Sequence, residues 1–390
     1  MAIHRDLRKM IGKSRNKNPR VYRSSVANRE LVIEPAPYVT GRMTKDLLMK
    51  YTFVALCILA ATAVLAFGIT ALIMEIIAVV VAVISDYLVS RVMKEKGPLN
   101  TYSAAVSGLT VALSFTSGIP LTYNAGDLAY LGIPEGQPFI YTIMDSNIQY
   151  LAVGIISALA VILFKKIQGL LGRKYLNPAA AAKLLALVPL YVTSLIPLDH
   201  LNIADMSAEA LTKPLPMLPS GAGLEGTLDM CYAGSNAPFP NEILMDLLLL
   251  KNHGWIGGAS SVAVIGVGIA LILACRGYIK WRIPLTFLVT TAIIAAGYGG
   301  YYGEDITLRV AFHLFIGSAI FLAFFMATDP ATTPLTNTGQ AIFAMGLSVL
   351  SFVFQIYLVF LGGSILALVI MNLTVPLLDL VGIRKPFGRG

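Results

Sequence analysis

Apolar residues in this chain form long continuous segments, and short polar connections separate them. A helix needs about 20 apolar residues to cross the hydrocarbon core of a membrane. Most of the segments approach that length, so the pattern predicts an all-α polytopic membrane protein. We expect ten membrane-spanning helices, at about residues 47–67, 70–89, 103–120, 148–164, 177–197, 255–275, 283–297, 310–328, 341–360 and 364–381.

The third segment is short for a membrane span and rich in small and hydroxyl residues, among them Ser107 and Thr110. It ends at Ser117-Gly118-Ile119-Pro120. This composition favours a short or broken helix that lines a cavity over a helix that faces lipid. The second segment carries two acids, Glu75 and Asp86, which we expect to face protein or the membrane interface because charge in lipid is costly.

The eighth segment ends abruptly at a polar stretch that contains an acid, two prolines and several hydroxyls. Pro330 cannot continue a helical hydrogen-bond ladder, and it biases Asp329 away from the α region. Irregular backbone at membrane depth is tolerated only where protein buries it or water reaches it. Asp329 is therefore a candidate site residue. In the alternative interpretation, the stretch is an ordinary solvated loop in which Asp329 caps the turn and contacts no cofactor.

Basic residues indicate how the chain crosses the membrane. Twelve Lys and Arg lie in the first 50 residues, and most others flank the spans. Because Lys and Arg favour the cytoplasmic side, we expect both termini to be cytoplasmic. The predicted divisions are a basic cytoplasmic arm (1–45), a first membrane repeat (46–198), an outer-face loop (199–253), a second membrane repeat (254–383) and a cytoplasmic tail (384–390).

The ten predicted spans divide into two sets of five. When a repeat contains an odd number of spans, its two copies cross the membrane in opposite orientations. In both halves the third span is rich in small residues and ends in Gly, Pro, Thr or Asp. Asn177 and Asn337 open a later span in each half. These correspondences favour a 5+5 inverted repeat with a site at the interface of the repeats. Ten spans without internal symmetry is the alternative.

Composition supports the membrane class and narrows the chemistry. The chain is 56% hydrophobic and 13% charged, which excludes an ordinary soluble globular protein. Its net charge of +8 is explained by the cytoplasmic segments, so we expect anionic lipid and other subunits as partners, and no nucleic acid. The three cysteines and four histidines lack metal-ligand spacing, so we expect no metal site and no iron–sulfur cluster or c-type haem held by this chain alone.

Four stretches are specific when taken together and in order. They are Gly172 to Ala179, Ile279 to Phe287, Phe324 to Pro330 and Asn372 to Asp379. This ordered set resembles the RnfD component of the Rnf electron-transport complex and, more distantly, the NqrB component of the Na+-translocating NADH:quinone reductase. The resemblance extends from about residue 45 to Gly388.

The resemblance implies a urea-transporter-like fold of ten helices in the cell membrane. It implies a flavin-bearing subunit of an ion-translocating complex, driven by redox chemistry and coupled to Na+ or H+, that is not catalytic alone. Such a subunit passes electrons between ferredoxin-linked carriers and carriers at the outer face. The resemblance also implies FMN attached through its phosphate to a threonine in the outer loop, and a noncovalent riboflavin at the midplane.

The attachment motif of that family reads Ser/Thr, Gly/Ser, Ala, Thr, and this chain departs from it. Ser220-Gly221-Ala222-Gly223 has glycine where the acceptor threonine should stand. Thr227, in the frame Leu224 to Asp229, resembles a variant of the motif and is the predicted acceptor. Ser220 is the fallback. The alternative is that Thr227 is a plain loop residue and that any flavin is bound without a covalent bond.

A noncovalent flavin needs an apolar slot and hydrogen bonds to its pyrimidine edge. Hydroxyl, amide and carboxyl groups from both halves are the candidates: Ser107, Thr110, Asn177, Thr328, Asp329, Thr332, Thr336 and Asn337. Asp329 beside a flavin would lower its potential through like-charge repulsion. Broken helices serve equally well in a secondary transporter or channel for a small polar solute, which is the competing function. The third alternative is a structural scaffold whose cofactors lie in neighbouring subunits.

Overall fold

A computed structural model describes residues 21–23, 30–32, 44–94, 101–115, 146–168, 174–192, 255–302, 306–315, 319–357 and 363–382. The chain divides into two compact units, Met1–Thr44 and Lys45–Gly390. In the first unit, strands β1 (Val21–Arg23) and β2 (Glu30–Val32) pair antiparallel, with Tyr22 opposite Leu31.

The described part of the second unit is helical. Its first half contains α1 (Lys45–Phe67), α2 (Ile69–Val92), α3 (Thr101–Leu113), α4 (Ser146–Leu159), which continues as a π-helix over Ala160–Ile167, and α5 (Pro178–Val192). Its second half opens with a 3₁₀ turn (Ile256–Gly258), which precedes α6 (Ser261–Ala274). Then follow α7 (Arg282–Tyr302), α8 (Ile306–Phe315), α9 (Ala319–Phe321) with a π-helical turn over Leu322–Met326, α10 (Asn337–Tyr357) and α11 (Gly363–Leu378).

Every apolar segment predicted from the sequence overlaps one of these helices, which confirms a polytopic helical membrane protein. Five helical segments are long and apolar enough to cross a membrane, and the number rises to six if α8 and α9 with its π-helical turn form one bent span. Helices α3, α6 and α11 are apolar but shorter. The count of ten spans and the inverted repeat therefore stay predictions.

Helix α3 is as short as its composition predicted, and it packs closely on α2. A Cβ atom placed on Gly108 would lie 2.5 Å from the carbonyl oxygen of Ala78 and 2.7 Å from the Cβ of Ala82. Only glycine leaves room for the two backbones at this distance, which is the way small residues promote close helix packing in membranes.

The two acids of α2 have different surroundings. Asp86 faces protein, where its carboxylate lies 2.9 Å from Lys165 Nζ and 3.6 Å from Lys166 Nζ on the π-helix after α4. Lys166 also donates to the Ser90 hydroxyl at 2.6 Å. Glu75 is buried too, but it lines a groove on the outer surface of α1 and α2.

Candidate functional site

The polar stretch after the π-helical turn folds into a compact turn, here called the polar turn (residues 327–336). Ala327 N donates to Leu322 O at 2.8 Å, which closes the wide helical turn. The Thr328 hydroxyl donates to Phe324 O. The Asp329 carboxylate then accepts from Ala331 N at 3.1 Å, so Asp329 initiates the turn that Pro330 requires.

Asn177 connects the start of α5 to the end of the π-helical turn that follows α9. Its Oδ1 accepts from Ala179 N at 3.1 Å and from Ala180 N at 3.3 Å. These are the bonds of a helix N-cap, with Pro178 at the first helical position. Its Nδ2 donates to Met326 O at 3.0 Å. One buried side chain thus bonds to backbone groups at the start of one helix and at the end of another.

The connection between α6 and α7 and the first residue of α7 each supply one cation, to the polar turn and to the start of α10. Lys280 Nζ donates to Pro334 O at 2.6 Å and to the Thr333 hydroxyl at 2.9 Å. Arg282 Nη1 donates to Asn337 Oδ1 at 3.1 Å. A backbone carbonyl, a hydroxyl and a side-chain amide oxygen are thereby bonded to charged donors, which form the stronger class of hydrogen bond.

The end of α11 closes the other side of the polar turn. Asp379 Oδ1 accepts from Leu335 N at 2.7 Å. The Thr336 hydroxyl donates to Val381 O at 2.7 Å and accepts from Gly339 N at 3.0 Å, so Thr336 also caps α10. A Cβ on Gly339 would lie 2.7 Å from Leu378 O, which shows how closely α10 and α11 approach here.

All four stretches that carried the family resemblance therefore meet at the polar turn or its flanks. The structure brings together six of the residues predicted from sequence: Asn177, Thr328, Asp329, Thr332, Thr336 and Asn337. Most of their polar atoms bond to protein. The exception is the buried Thr332 hydroxyl, which has no hydrogen-bond partner among the described residues.

The polar turn has a charged side. Burial raises the pKa of the partly exposed Asp329 carboxyl above its ordinary value, and the hydrogen bond from Ala331 and the charges of Lys174 and Lys280 oppose that rise. Burial lowers the pKa of the Lys174 amine, while the charge of Asp329 favours its protonated form. The carboxyl and the two lysines thus form one electrostatic unit beside the turn.

Ser107 and Thr110 lie apart from this unit. The Ser107 hydroxyl donates to Ser103 O at 3.0 Å, and the Thr110 hydroxyl donates to Val106 O at 2.7 Å. Each proton is thus bonded one turn back along α3. No hydrogen bond between described residues joins either hydroxyl to the polar turn.

A second centre lies around Lys183, which is not among the residues predicted from sequence. Lys183 is buried within α5, and its Nζ donates to Ser114 O at 2.7 Å, at the end of α3. The same atom lies 4.6 Å from the ring centroid of Phe115 and 5.3 Å from that of Trp255. The negative end of a helix and two aromatic faces together stabilise the cation. A charged residue inside an apolar segment was the available sequence signal.

The aromatic rings of this centre continue toward the polar turn. Trp255 and Phe321 pack edge to face, with their ring centroids 6.2 Å apart. Phe321 stacks on Phe325 at a centroid distance of 5.5 Å. Asn177 and Lys183 are about 9 Å apart along α5, given the rise of 1.5 Å per residue. Helix α5 thus bonds to the end of the π-helical turn after α9 through Asn177 and to the end of α3 through Lys183.

Thr227 and Ser220 lie outside the described residues, so the attachment site stays a prediction.

Known proteins are similar to this chain over most of its length. The model of the NQR2, RnfD, RnfE family matches residues 32–127 and 140–388. The subunit designated D in the Na(+)-translocating ferredoxin:NAD(+) oxidoreductase complex of Acetobacterium woodii is 28% identical, over 90% of this chain and 92% of the relative. Its counterpart in the proton-translocating ferredoxin:NAD(+) oxidoreductase complex of Clostridium ljungdahlii is 27% identical, over 89% and 93%. The counterpart in the ion-translocating oxidoreductase complex of Cronobacter sakazakii is 28% identical, over 80% and 86%.

Proposed function

The chain belongs to the NQR2, RnfD, RnfE family, and on this premise we propose that it is the flavin-bearing membrane subunit of an Rnf-type electron-transport complex. In this role it passes electrons across the membrane between ferredoxin-linked carriers and carriers at the outer face. The name of one relative describes a Na(+)-translocating complex, and the name of another describes a proton-translocating complex. Either ion is compatible with the proposal.

The observation that carries the proposal is the arrangement around α5. A buried cation, Lys183, lies against Phe115 and Trp255. Through Asn177, α5 also bonds to Met326, the residue directly before the polar turn. Apolar and aromatic side chains suit a flavin ring, and a nearby positive charge stabilises its reduced, negative form.

The donor set also fits a flavin. The pyrimidine edge of the ring carries both donors and acceptors. The Thr332 hydroxyl and the amide of Asn372 are buried, and they have no hydrogen-bond partner among the described residues. An unsatisfied buried polar group costs about 1–3 kcal/mol, so these two side chains are the ones we propose to bond the ring. Bound flavin supplies one- and two-electron redox chemistry.

The charged residues of the chain would set the potential of that group. Lys183 favours a negative charge nearby, and Asp329 disfavours one. Asn177 holds α5 in place relative to the broken helix. The stacked rings of Phe321 and Phe325 are both buried, which keeps this part of the protein apolar.

The test is a purified complex, expressed with its partner subunits and examined for flavin. We expect a yellow chromophore and, by intact-chain mass spectrometry, one adduct of FMN size. Replacing Lys183 with methionine should lower the midpoint potential of a flavin held here, because it removes the cation that stabilises the reduced, negative form. Lys50→Met, at an exposed position on α1, is the control and should leave the potential unchanged. Complete absence of chromophore would contradict the proposal and favour a solute transporter.

We also propose that both termini and the loop containing Lys174 face the cytoplasm. Single cysteines placed at 170 and 215 in a chain without native cysteines should label from opposite sides of the membrane. Labelling of both from the outside would contradict this topology.

A further inference from the structure

A groove of about 650 Å³ runs between α1 and α2 and reaches Leu109 of α3. Apart from the Cys57 thiol and the Glu75 carboxyl, its lining side chains are hydrocarbon. Leu65, Ile76 and Val80 on its edges are exposed. Because α1 and α2 both meet the criteria for membrane spans, an exposed hydrocarbon surface of this kind is suited to contact lipid.

Glu75 is the unusual residue of this groove. Its side chain is 5% exposed, and Oε1 has no hydrogen-bond partner among the described residues. Asp86 lies about three turns later on the same helix, and it is paired with Lys165 at 2.9 Å. Within the part of the chain that the structure describes, this helix therefore carries one buried acid with a cationic partner, Asp86, and one without, Glu75.

The surroundings of Glu75 favour its neutral form. An ionised carboxylate that is buried without a partner costs several kcal/mol or more, and such groups take up a proton instead. A bound metal ion would need several oxygen ligands, about six for a typical hard cation. The described lining of the groove offers no oxygen-bearing side chain besides Glu75. The ion that suits this site is H+.

We propose that Glu75 is a protonated, lipid-accessible carboxylic acid, and that it forms a specific modification site for apolar carbodiimides. Asp86 is excluded from this reaction because its side chain is engaged by Lys165 and Lys166.

The reaction balances without a further reagent. The acid proton moves to one carbodiimide nitrogen, and the carboxyl oxygen bonds to the central carbon, which gives an O-acylisourea. The acyl group then migrates to the other nitrogen. The bond from the acyl carbon to that oxygen breaks, a carbon–nitrogen bond forms, and a stable N-acylurea remains. No atom leaves and nothing is oxidised or reduced. The hydrocarbon lining keeps out the water that would hydrolyse the first adduct.

The experiment treats membranes that contain the complex with dicyclohexylcarbodiimide and maps the adduct by peptide mass spectrometry. We expect one N-acylurea, on Glu75. Glu75→Gln should abolish it, and Asp86→Asn should leave it unchanged in the protein that folds. A water-soluble carbodiimide should not label Glu75. Added Na+ should not slow the labelling, because a proton rather than a metal ion occupies the carboxyl.

A second variant keeps the acid and fills the groove. Ala61 is an exposed lining residue, so Ala61→Trp should leave folding intact yet slow the labelling of Glu75 severalfold. Labelling of Asp86 or Cys57 in place of Glu75, protection by Na+, or an unchanged rate in Ala61→Trp would each overturn the proposal. Absence of any adduct would show that Glu75 is ionised or covered, and would overturn it as well.

Discussion

The side-chain amide of Asn177 donates a hydrogen bond to the carbonyl oxygen of Met326, 149 residues later in the chain, at 3.0 Å. The same amide caps α5 through its oxygen. A single side chain thereby joins the two halves of the membrane unit at the point where one helix begins and another ends.

Two substitutions of Asn177 should separate its role as the N-cap of α5 from its hydrogen bond to Met326. Serine is a good N-cap but lacks the amide donor, so Asn177→Ser should cost about 1 kcal/mol, the value of one hydrogen bond. Asn177→Ala loses the cap as well and should cost about 2 kcal/mol. Thermal unfolding of the purified chain in detergent measures both. Equal losses in the two variants would show that the serine hydroxyl does not replace the cap.

The buried pair of Asp86 and Lys165 should be costly to break from one side only. Asp86→Asn leaves a buried lysine without its carboxylate, which costs about 3–5 kcal/mol. Combining it with Lys165→Met removes the unpaired charge and should recover most of that loss. The double-mutant cycle is read from unfolding midpoints, and additive effects of the two substitutions would contradict the pairing.

Gly108 should tolerate no side chain. Alanine there places a Cβ 2.5 Å from Ala78 O, and such overpacking costs about 1–3 kcal/mol. Gly266 on α6 has no atom within 4 Å of an added Cβ, so Gly266→Ala is the matched control. The control should be neutral or stabilising, because alanine favours a helix. Equal thermal stability of the two variants would mean that α2 and α3 are not held in this close contact.

The Asp329 carboxyl should make stability depend on pH. Its pKa is raised in the folded protein, mainly by burial, so the folded state holds the proton more tightly than the unfolded state. The contribution is fully present below the ordinary pKa of about 3.9 and is lost as pH rises through the raised value.

Asp329→Asn keeps the acceptor for Ala331 and removes this titration. The unfolding temperature of the wild type, relative to that variant, should therefore fall as pH increases from about 4. A difference that rises with pH would mean that Lys174 and Lys280 outweigh burial. If Asp329 also lies near a flavin, Asp329→Asn should shift the flavin midpoint potential or electron flux while assembly persists. An unchanged potential with normal flux would reduce Asp329 to a turn residue.

Covalent flavin, if present, should depend on Thr227. Thr227→Val removes the hydroxyl that a phosphoester needs and should abolish fluorescence of the denatured chain in a gel. Noncovalent flavin in the native protein should remain. Ser220→Ala is the control and should retain the fluorescence. Loss in Ser220→Ala alone would move the attachment to Ser220, and absence of fluorescence in the wild type would rule out covalent attachment.

The sequence by itself determined where helices form, because a long apolar segment that lies in a membrane must pair its backbone groups within a helix. It also located a helix end at Pro330, since proline restricts the backbone whatever its surroundings. The ordered stretches identified the family. These are local properties, and each can be judged from neighbouring residues.

Only the tertiary structure decided which of these residues meet. The bond from Asn177 to Met326 spans 149 residues, and the pair of Lys165 and Asp86 spans 79. No local pattern encodes such contacts. The same limit applies to Glu75 and Asp86, which look alike in the sequence as acids of one apolar helix. Only packing gives Asp86 two lysines and leaves Glu75 at a hydrocarbon groove, because the state of a buried acid depends on what other helices bring to it.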